Sequence, residues 1–330
     1  MRQAVQASRD ALVGYWLLTI CALVAVMILV GGATRLTGSG LSITEWKPVT
    51  GAIPPLSAAH WSAEFEKYRQ TTQFRLVNPD IGLGDFKLLY WWEWGHRFLG
   101  RLIGVVFAAP FLAFWALGRL KGRFWGCVAL LGLGALQGAI GWWMVQSGLS
   151  GRISVAPARL AVHLGVAFVI LALGWRLALA ALGWPAARGA GGARLAWIFA
   201  AALFAQILLG AIVAGSDAGP AYADWPTIGG EWFPRTYAAM EHAAIQFNHR
   251  VGGYLVWALA VFLAWRAWRE PPGAARAASL AVFALATLQA GLGIATILAG
   301  SPLSLSLIHQ GGAIALWLAA HAVIAAKTMR

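Results

Sequence analysis

The sequence predicts an all-α, polytopic membrane protein whose eight transmembrane helices form two tandem four-helix bundles. Three observations predict this fold: an apolar composition, eight long apolar segments and an internal repeat. Of the 330 residues, 60% are hydrophobic and only 11% are charged. Soluble domains carry roughly twice that charged fraction, so the composition by itself indicates a membrane protein.

Each apolar segment is long enough to cross a bilayer as a helix, which requires about 20 residues. The first begins near Ala11, and we expect no removable signal peptide, because this segment is too long and lacks a clear cleavage site. The segments are 12–34, 88–118, 124–147, 160–182, 195–215, 242–265, 277–299 and 305–326.

The basic residues account for the net charge of +13 without a nucleic-acid partner. They lie mostly in short loops between the apolar segments, where positive charge determines topology, and once the long first outer loop is set aside one side of the predicted membrane holds more of them than the other. We therefore expect both chain termini in the cytoplasm. The residues on that side are Arg2, Arg9, Arg119, Lys121, Arg123, Arg188, Arg194, Arg266, Arg269, Arg276, Lys327 and Arg330.

The first outer loop, roughly 35–87, is too long for a plain connection. Within it, 57–72 places Trp61, Phe65 and Tyr68 at helical spacing, with charged residues elsewhere around the helix. This pattern is typical of an amphipathic helix, and we expect that helix to lie on the outer membrane face.

An internal repeat relates the two parts of the chain. Residues 136–141 (LQGAIG) resemble 288–293 (LQAGLG), and His96-Arg97 resembles His249-Arg250. Four helices per repeat preserve the topology, so we expect a pseudo-two-fold axis along the membrane normal. We assign 1–187 to the N-terminal half, with the long outer loop 35–87, and 188–330 to the C-terminal half. Other matched positions are Gly31 with Gly210, Gly40 with Gly219, Trp46 with Trp225 and His163 with His309.

Four of the seven histidines lie near the start of the even-numbered segments, at a similar predicted depth near the outer face. Ionisable residues within membrane spans usually mark functional sites. Zinc would require three or four ligands, whereas a histidine pair on facing helices supplies both axial ligands of a haem iron. We therefore predict two haem sites rather than four unconnected helix contacts. The four residues are His96, His163, His249 and His309.

Other candidate residues have no such pairing. Cys21 and Cys127 lie within apolar segments, so neither predicts a disulfide or a zinc site. We assign no role to His60, His242 and His321.

The two halves differ at one position that bears on chemistry. Glu93 precedes His96 by one turn, but its repeat equivalent is Gln246. A carboxylate beside a substrate can transfer a proton or stabilise a developing cation. The alternative is an interfacial ion pair with Arg97 or Arg101.

Several cations are expected on the outer side of the membrane. They either bind haem propionates or are ordinary interfacial side chains with their charge at the membrane surface. They are Arg35, Lys47, Arg97 and Arg250.

Four short motifs are together distinctive. They are 31–42 (GGATRLTGSGLS) continuing to 45–48 (EWKP), 93–97 (EWGHR), 247–250 (FNHR) and 307–310 (LIHQ). They resemble the outer-loop segment, the Glu-x-x-His-Arg motif and the second-half histidine motifs of the haem A synthase family, over nearly the whole chain. Some members of that family carry a cysteine pair in the first outer loop. This sequence has none there, which resembles the proteobacterial and mitochondrial branch.

The resemblance implies an oxidoreductase that oxidises the C8 methyl group of haem O to a formyl group, giving haem A for cytochrome c oxidase. The methyl group would be hydroxylated and oxidised again, and the gem-diol would lose water. The implied cofactor is haem b, which would pass electrons. The implied sites are Glu93 as the catalytic carboxylate; His96 and His163 on the substrate haem iron, with Arg35 and Arg97; and His249 and His309 on the haem b iron, with Arg250.

The resemblance also implies a location and partners. The location is the bacterial inner membrane, with the haem sites near its outer face. The partners are the haem O substrate, haem O synthase, cytochrome oxidase assembly proteins, a redox partner that the sequence does not identify, and membrane lipid.

Two other functions compete with this one. The first is a di-haem b membrane cytochrome that only relays electrons, which equivalent ligands in both halves favour and the Glu93/Gln246 difference disfavours. The second is a transporter built from parallel repeats. It is less favoured, because the ionisable residues cluster in the outer third of the spans rather than at the midplane.

Overall fold

The computed structural model describes residues 2–185, 193–238 and 241–328. Within these ranges the chain forms α-helices and two short 3-10 turns, Thr50–Ala52 and Gly219–Ala221. The helices are α1 (Arg2–Leu36), α2 (Ala58–Arg69), α3 (Thr72–Val77), α4 (Leu83–Ala116), α5 (Phe124–Leu149), α6 (Pro157–Ala181), α7 (Ala193–Gly215), α8 (Glu241–Trp268), α9 (Ala274–Leu298) and α10 (Leu303–Thr328).

Eight of the described helices are long and apolar enough to cross a membrane, which confirms the predicted number of spans. They are all but the short helices α2 and α3. In α1 the apolar span begins at Ala11.

The eight long helices contact one another in two rings. In the first, α1 packs on α4, α4 on α5, α5 on α6, and α6 returns to α1. In the second, α7, α8, α9 and α10 repeat the same order of contacts. Between the rings, α6 packs on α7 and α10, and α1 packs on α10. Repeat-related helices thus meet in repeat-related pairs, which is the pattern that a pseudo-two-fold axis produces.

The main apolar core lies where the two rings meet. Leu17, Phe168, Phe199 and Val323 are all buried there. The indole of Trp317 on α10 also donates a hydrogen bond to the Phe168 carbonyl on α6, at 2.9 Å. The predicted boundary between residues 187 and 188 lies outside the described residues, as do Arg188 and Arg330, and it stays a prediction.

The predicted amphipathic helix exists as α2, but its apolar face does not lie on the membrane. Trp61 and Tyr68 are buried against Phe86 and Tyr90 at the start of α4. The physical reason is that α4 begins at Leu83, five residues before the predicted start of its apolar segment. This additional length gives α2 a protein surface to cover.

The longer α4 also changes one expectation about the histidines. His163, His249 and His309 lie six to eight residues into their helices, whereas His96 lies thirteen residues into α4. At about 1.5 Å per residue, that is roughly 20 Å from the helix start. The position within a helix therefore does not measure depth, because the first residues of α4 pack on α2 rather than on the other long helices.

Candidate functional site

The four predicted histidines fall into two pairs. His96 on α4 and His163 on α6 lie within electrostatic range of each other, and so do His249 on α8 and His309 on α10. All four residues are partly exposed rather than sealed in the core. Each pair belongs to one ring of helices, as the sequence predicted. Among the described residues, no group of three or more histidines, cysteines or carboxylates forms a metal cluster.

Every one of these histidines packs against a glycine of the preceding long helix. A Cβ atom built on Gly31 would lie 3.2 Å from His96 Nε2, and the same atom on Gly141 would lie 3.1 Å from His163 Cε1. On Gly210 and Gly293 it would lie 3.1 and 3.0 Å from the rings of His249 and His309. These distances are tighter than ordinary contacts, so each glycine admits an imidazole that a larger residue would push away.

Glutamine side chains hold three of the histidines through the backbone. Gln137 Nε2 donates to the His163 carbonyl at 3.0 Å. Gln206 and Gln289 donate to the carbonyls of His249 and His309, both at 2.8 Å. Sequence analysis did not identify Gln206 at all. The available signal was its spacing, four residues before Gly210, which 137–141 and 289–293 share.

The side chains present fit a planar group with two axial nitrogen ligands. His163 Nδ1 and His309 Nδ1 are buried and have no hydrogen-bond partner among the described residues. Histidine pairs of this kind are a usual ligand set for haem iron in helical bundles.

Glu93 is buried, with 2% of its surface exposed, and it ties the first long connection (37–82) to α4. Its Oε2 accepts hydrogen bonds from Ser42 Oγ and from Ile43 N, both at 2.8 Å. Its Oε1 accepts from Arg97 at 2.6 Å, so the ion pair considered as the alternative is present. Its catalytic role stays a prediction.

Gln246 does the same for the second long connection, described over 216–238. Its Nε2 donates to the carbonyls of Ala218 and Gly219, and its Oε1 accepts from Arg250. The two repeat-related side chains therefore both anchor a long connection to a helix, one as a carboxylate and the other as an amide.

Arg97 and Arg250 are also engaged with these connections. Arg97 donates to the carbonyls of Ile43 at 2.8 Å and Glu45 at 2.9 Å. Arg250 donates to the carbonyls of Thr227 at 2.6 Å and Asp224 at 2.9 Å. Their predicted contact with haem propionates stays a prediction.

Arg35 spans the two rings of helices. It donates to Asp217 Oδ2 at 2.7 Å and to the Gly215 carbonyl at the end of α7, at 3.1 Å. Its predicted role at the substrate haem is also not decided by these contacts. Of the other predicted cations, Lys47 donates to Glu45 at 2.6 Å.

The two long connections carry carboxylates with lowered pKa values. Hydrogen bonds from Lys47 and Lys67 lower the pKa of Glu45. Burial by itself would raise the pKa of Asp224, but hydrogen bonds from Gly230 N, Gly229 N and Thr227 Oγ1 lower it overall. Both groups are therefore charged at neutral pH and organise the chain around them.

The remaining three histidines lie apart from the two pairs. His60 is on α2 and exposed, and His242 is exposed at the start of α8. His321 is buried near the end of α10, with its ring 4.4 Å from that of Trp317.

The sequence matches one protein family and is similar to several named proteins. The sequence model of the family COX15-CtaA, described as cytochrome oxidase assembly protein, matches residues 14–321. A Maricaulis maris protein named heme A synthase is 51% identical over 98% of each chain. Proteins of the same name are 51% identical in Paracoccus denitrificans, over 92% of this chain and 84% of the relative, and 46% identical in Caulobacter vibrioides, over 95% of each.

Proposed function

The chain belongs to the COX15-CtaA family of cytochrome oxidase assembly proteins, and we infer that it is an oxidoreductase converting haem O into haem A. It oxidises the C8 methyl group of haem O to a formyl group and so acts in cytochrome oxidase assembly. The observation that carries this conclusion is two histidine pairs at repeat-related positions, in a chain half identical to proteins named heme A synthase.

The second half is the proposed site of a resident haem b, with His249 and His309 as its iron ligands. Haem b would supply one-electron transfer to and from the reaction. The protein holds both ligands firmly there, because Gln206 and Gln289 bond to their backbone carbonyls. A firmly held ligand pair suits a group that stays bound.

The first half is the proposed substrate site, where His96 and His163 bind and orient haem O. Binding the iron from both faces fixes the plane of the porphyrin, which positions one methyl group for oxidation. The connection 37–82 closes over this half, and its chain is anchored to α4 through Glu93 and Arg97.

Glu93 is the proposed catalytic carboxylate, holding or accepting a proton near the reacting methyl group. Its carboxylate is oriented by three hydrogen bonds. Gln246 anchors the equivalent connection in the other half through its amide N–H and without a charge, so the ionisable group at this position belongs to the first half alone. That difference supports a separate need for an ionisable group in the first half.

Arg35 and Arg97 are proposed to pair with the propionates of the substrate haem, and Arg250 with those of haem b. Each guanidinium already donates to a residue of a long connection. Propionates are the carboxylates of haem, and arginine binds carboxylates in a two-pronged geometry.

The chain is a multi-pass membrane protein. We place it in the bacterial inner membrane, with both termini in the cytoplasm and the histidine pairs near the outer face. The charge of the short loops supports this orientation. Haem O synthase, cytochrome oxidase assembly proteins and a separate redox partner are the proposed interaction partners.

Haem extraction and chromatography test the function directly, using protein purified from cells that make haem O. Haem b together with haem O and haem A is the expected result. Haem b alone, at two per protein, would instead identify an electron-relaying cytochrome. A folded sample without haem would overturn both functions.

A further inference from the structure

In four helix pairs, a glycine of one helix packs on a histidine of the next long helix. Three of these pairs also share a glutamine contact that the fourth lacks. In three pairs, a glutamine four residues before the glycine donates to the backbone carbonyl of the histidine on the next long helix. These pairs are Gln137–Gly141 with His163, Gln206–Gly210 with His249, and Gln289–Gly293 with His309. In the fourth pair, Gly31 packs on His96, and the position four residues earlier is Met27.

The glutamines contact the histidines closely enough to restrain them. Gln206 Nε2 also lies 3.0 Å from His249 Nδ1, and Gln137 Nε2 lies 3.4 Å from His163 Nε2. Neighbouring groups that hold a ligating histidine in place fix its orientation, and their loss commonly weakens binding of the metal.

The second half makes room for the glutamines. Gly252 and Gly312, each three residues after a paired histidine, have Oε1 of Gln206 and Gln289 where a side chain would project. The first half has Leu99 and Val166 at the same spacing. In the second half, each paired histidine therefore has a glycine against its ring, a glutamine on its carbonyl and a second glycine that makes room for that glutamine.

Met27 cannot replace a glutamine, because a thioether has no hydrogen-bond donor. Its methyl group lies beside Gly100 instead, 3.5 Å from where a Cβ atom would be. Of the four paired histidines, all within the described ranges, only His96 has no glutamine on its backbone carbonyl.

We propose that Met27 makes His96 the exchangeable ligand, through which the first site accepts and releases its porphyrin, whereas Gln206 and Gln289 retain the second site's haem. This inference rests on the proposed function, because a catalyst must release its product while it keeps its cofactor. Met27 and the three glutamines act as positioning residues, since each works through a histidine.

The test measures transfer of ferric protohaem from the detergent-solubilised protein, loaded at both sites, to apomyoglobin. We expect two phases, a fast one from the first site and a slow one from the second. Met27→Gln, alone and combined with Leu99→Gly to make room, should slow the fast phase roughly 3- to 10-fold, the effect of one net hydrogen bond. Gln206→Met should accelerate the slow phase by a similar factor.

Two controls keep the result specific. Met27→Leu supplies no donor and should leave the fast phase unchanged, and Leu99→Gly alone should not slow it. In each Met27 variant, an unchanged slow phase shows that the fold and the second site are intact. Electron paramagnetic resonance of the low-spin haems should show changes only at the altered site.

The proposal is overturned if both Met27→Gln variants leave the fast phase unchanged, or if Gln206→Met leaves the slow phase unchanged. Neither result would contradict the proposed function, because the protein would still bind haem at two sites. A protein that binds no haem at either histidine pair would overturn the proposed function itself.

Discussion

The two halves of the molecule anchor their long connections with the same positions but with different chemistry. In the first half, a buried carboxylate accepts hydrogen bonds from Ser42, Ile43 and Arg97. In the second, Gln246 both donates to the connection and accepts from Arg250. The repeat has thus kept a geometry while changing a charge. Such a change indicates where two related sites have acquired different tasks.

The largest expected effect separates the two histidine pairs. His309→Ala should remove nearly all resident haem b, lowering the ratio of haem b to protein at least tenfold, because one of two axial ligands is lost. The matched change His163→Ala should leave that ratio near one. The pyridine haemochrome assay measures it. Retention of haem b in His309→Ala but not in His163→Ala would reverse the assignment of the halves.

The next effect concerns the exchanged charge. Glu93→Gln should reduce haem A formation by about two orders of magnitude, the usual contribution of a positioned acid or base. Haem b should be retained, since its proposed ligands His249 and His309 lie on α8 and α10 in the other half. The measurement is the haem A to haem O ratio in membranes. Gln246→Glu is the matched control. A normal ratio in Glu93→Gln would make Glu93 an anchor only.

A smaller effect tests the contacts between glycine and histidine. Gly293→Ala places a Cβ atom 3.0 Å from the His309 ring, and overpacking of this kind costs on the order of 1–3 kcal/mol. We expect a shifted haem b midpoint potential and a lower melting temperature. Gly291→Ala, on the same helix with open space beside it, should change neither. Equal effects of the two substitutions would show that helix packing, not the ring contact, is responsible.

The smallest effects concern the two long connections. The pKa of Asp224 is lower when folded, so its stabilisation is present at neutral pH and is lost as pH falls below the ordinary value of 3.8. Hydrogen exchange at Gly229 and Gly230, corrected for intrinsic rate, should accelerate only in that range. Asp224→Asn should show rapid exchange already at pH 7. If the amides of Gly229 and Gly230 exchanged as slowly in this variant as in the unchanged protein, Asp224 would not be what protects them.

The first connection should respond to salt instead. Glu45 is paired with the side chains of Lys47 and Lys67, and ion pairs at an exposed surface are screened by salt. The Asp224 contacts run to backbone amides and a hydroxyl, so salt should affect them less.

The sequence by itself determined the number of spans, the repeat and the histidine pairs. Span length follows from bilayer thickness, and a repeat brings matched residues to matched places, so His249 and His309 were predictable as partners. The exchange of Glu93 for Gln246 was visible in the same way, although its contacts were not.

Only the tertiary structure decided which surface covers each apolar face and which donor reaches each acceptor. The apolar residues of α2 suit lipid and protein equally well, since lipid is as apolar as a leucine side chain. They pack on α4 because that helix extends to meet them. The contact of Gln206 with His249 joins two helices, and that of Arg35 with Asp217 joins α1 to the second long connection. Periodicity describes one helix at a time, and such contacts depend on how two helices are placed.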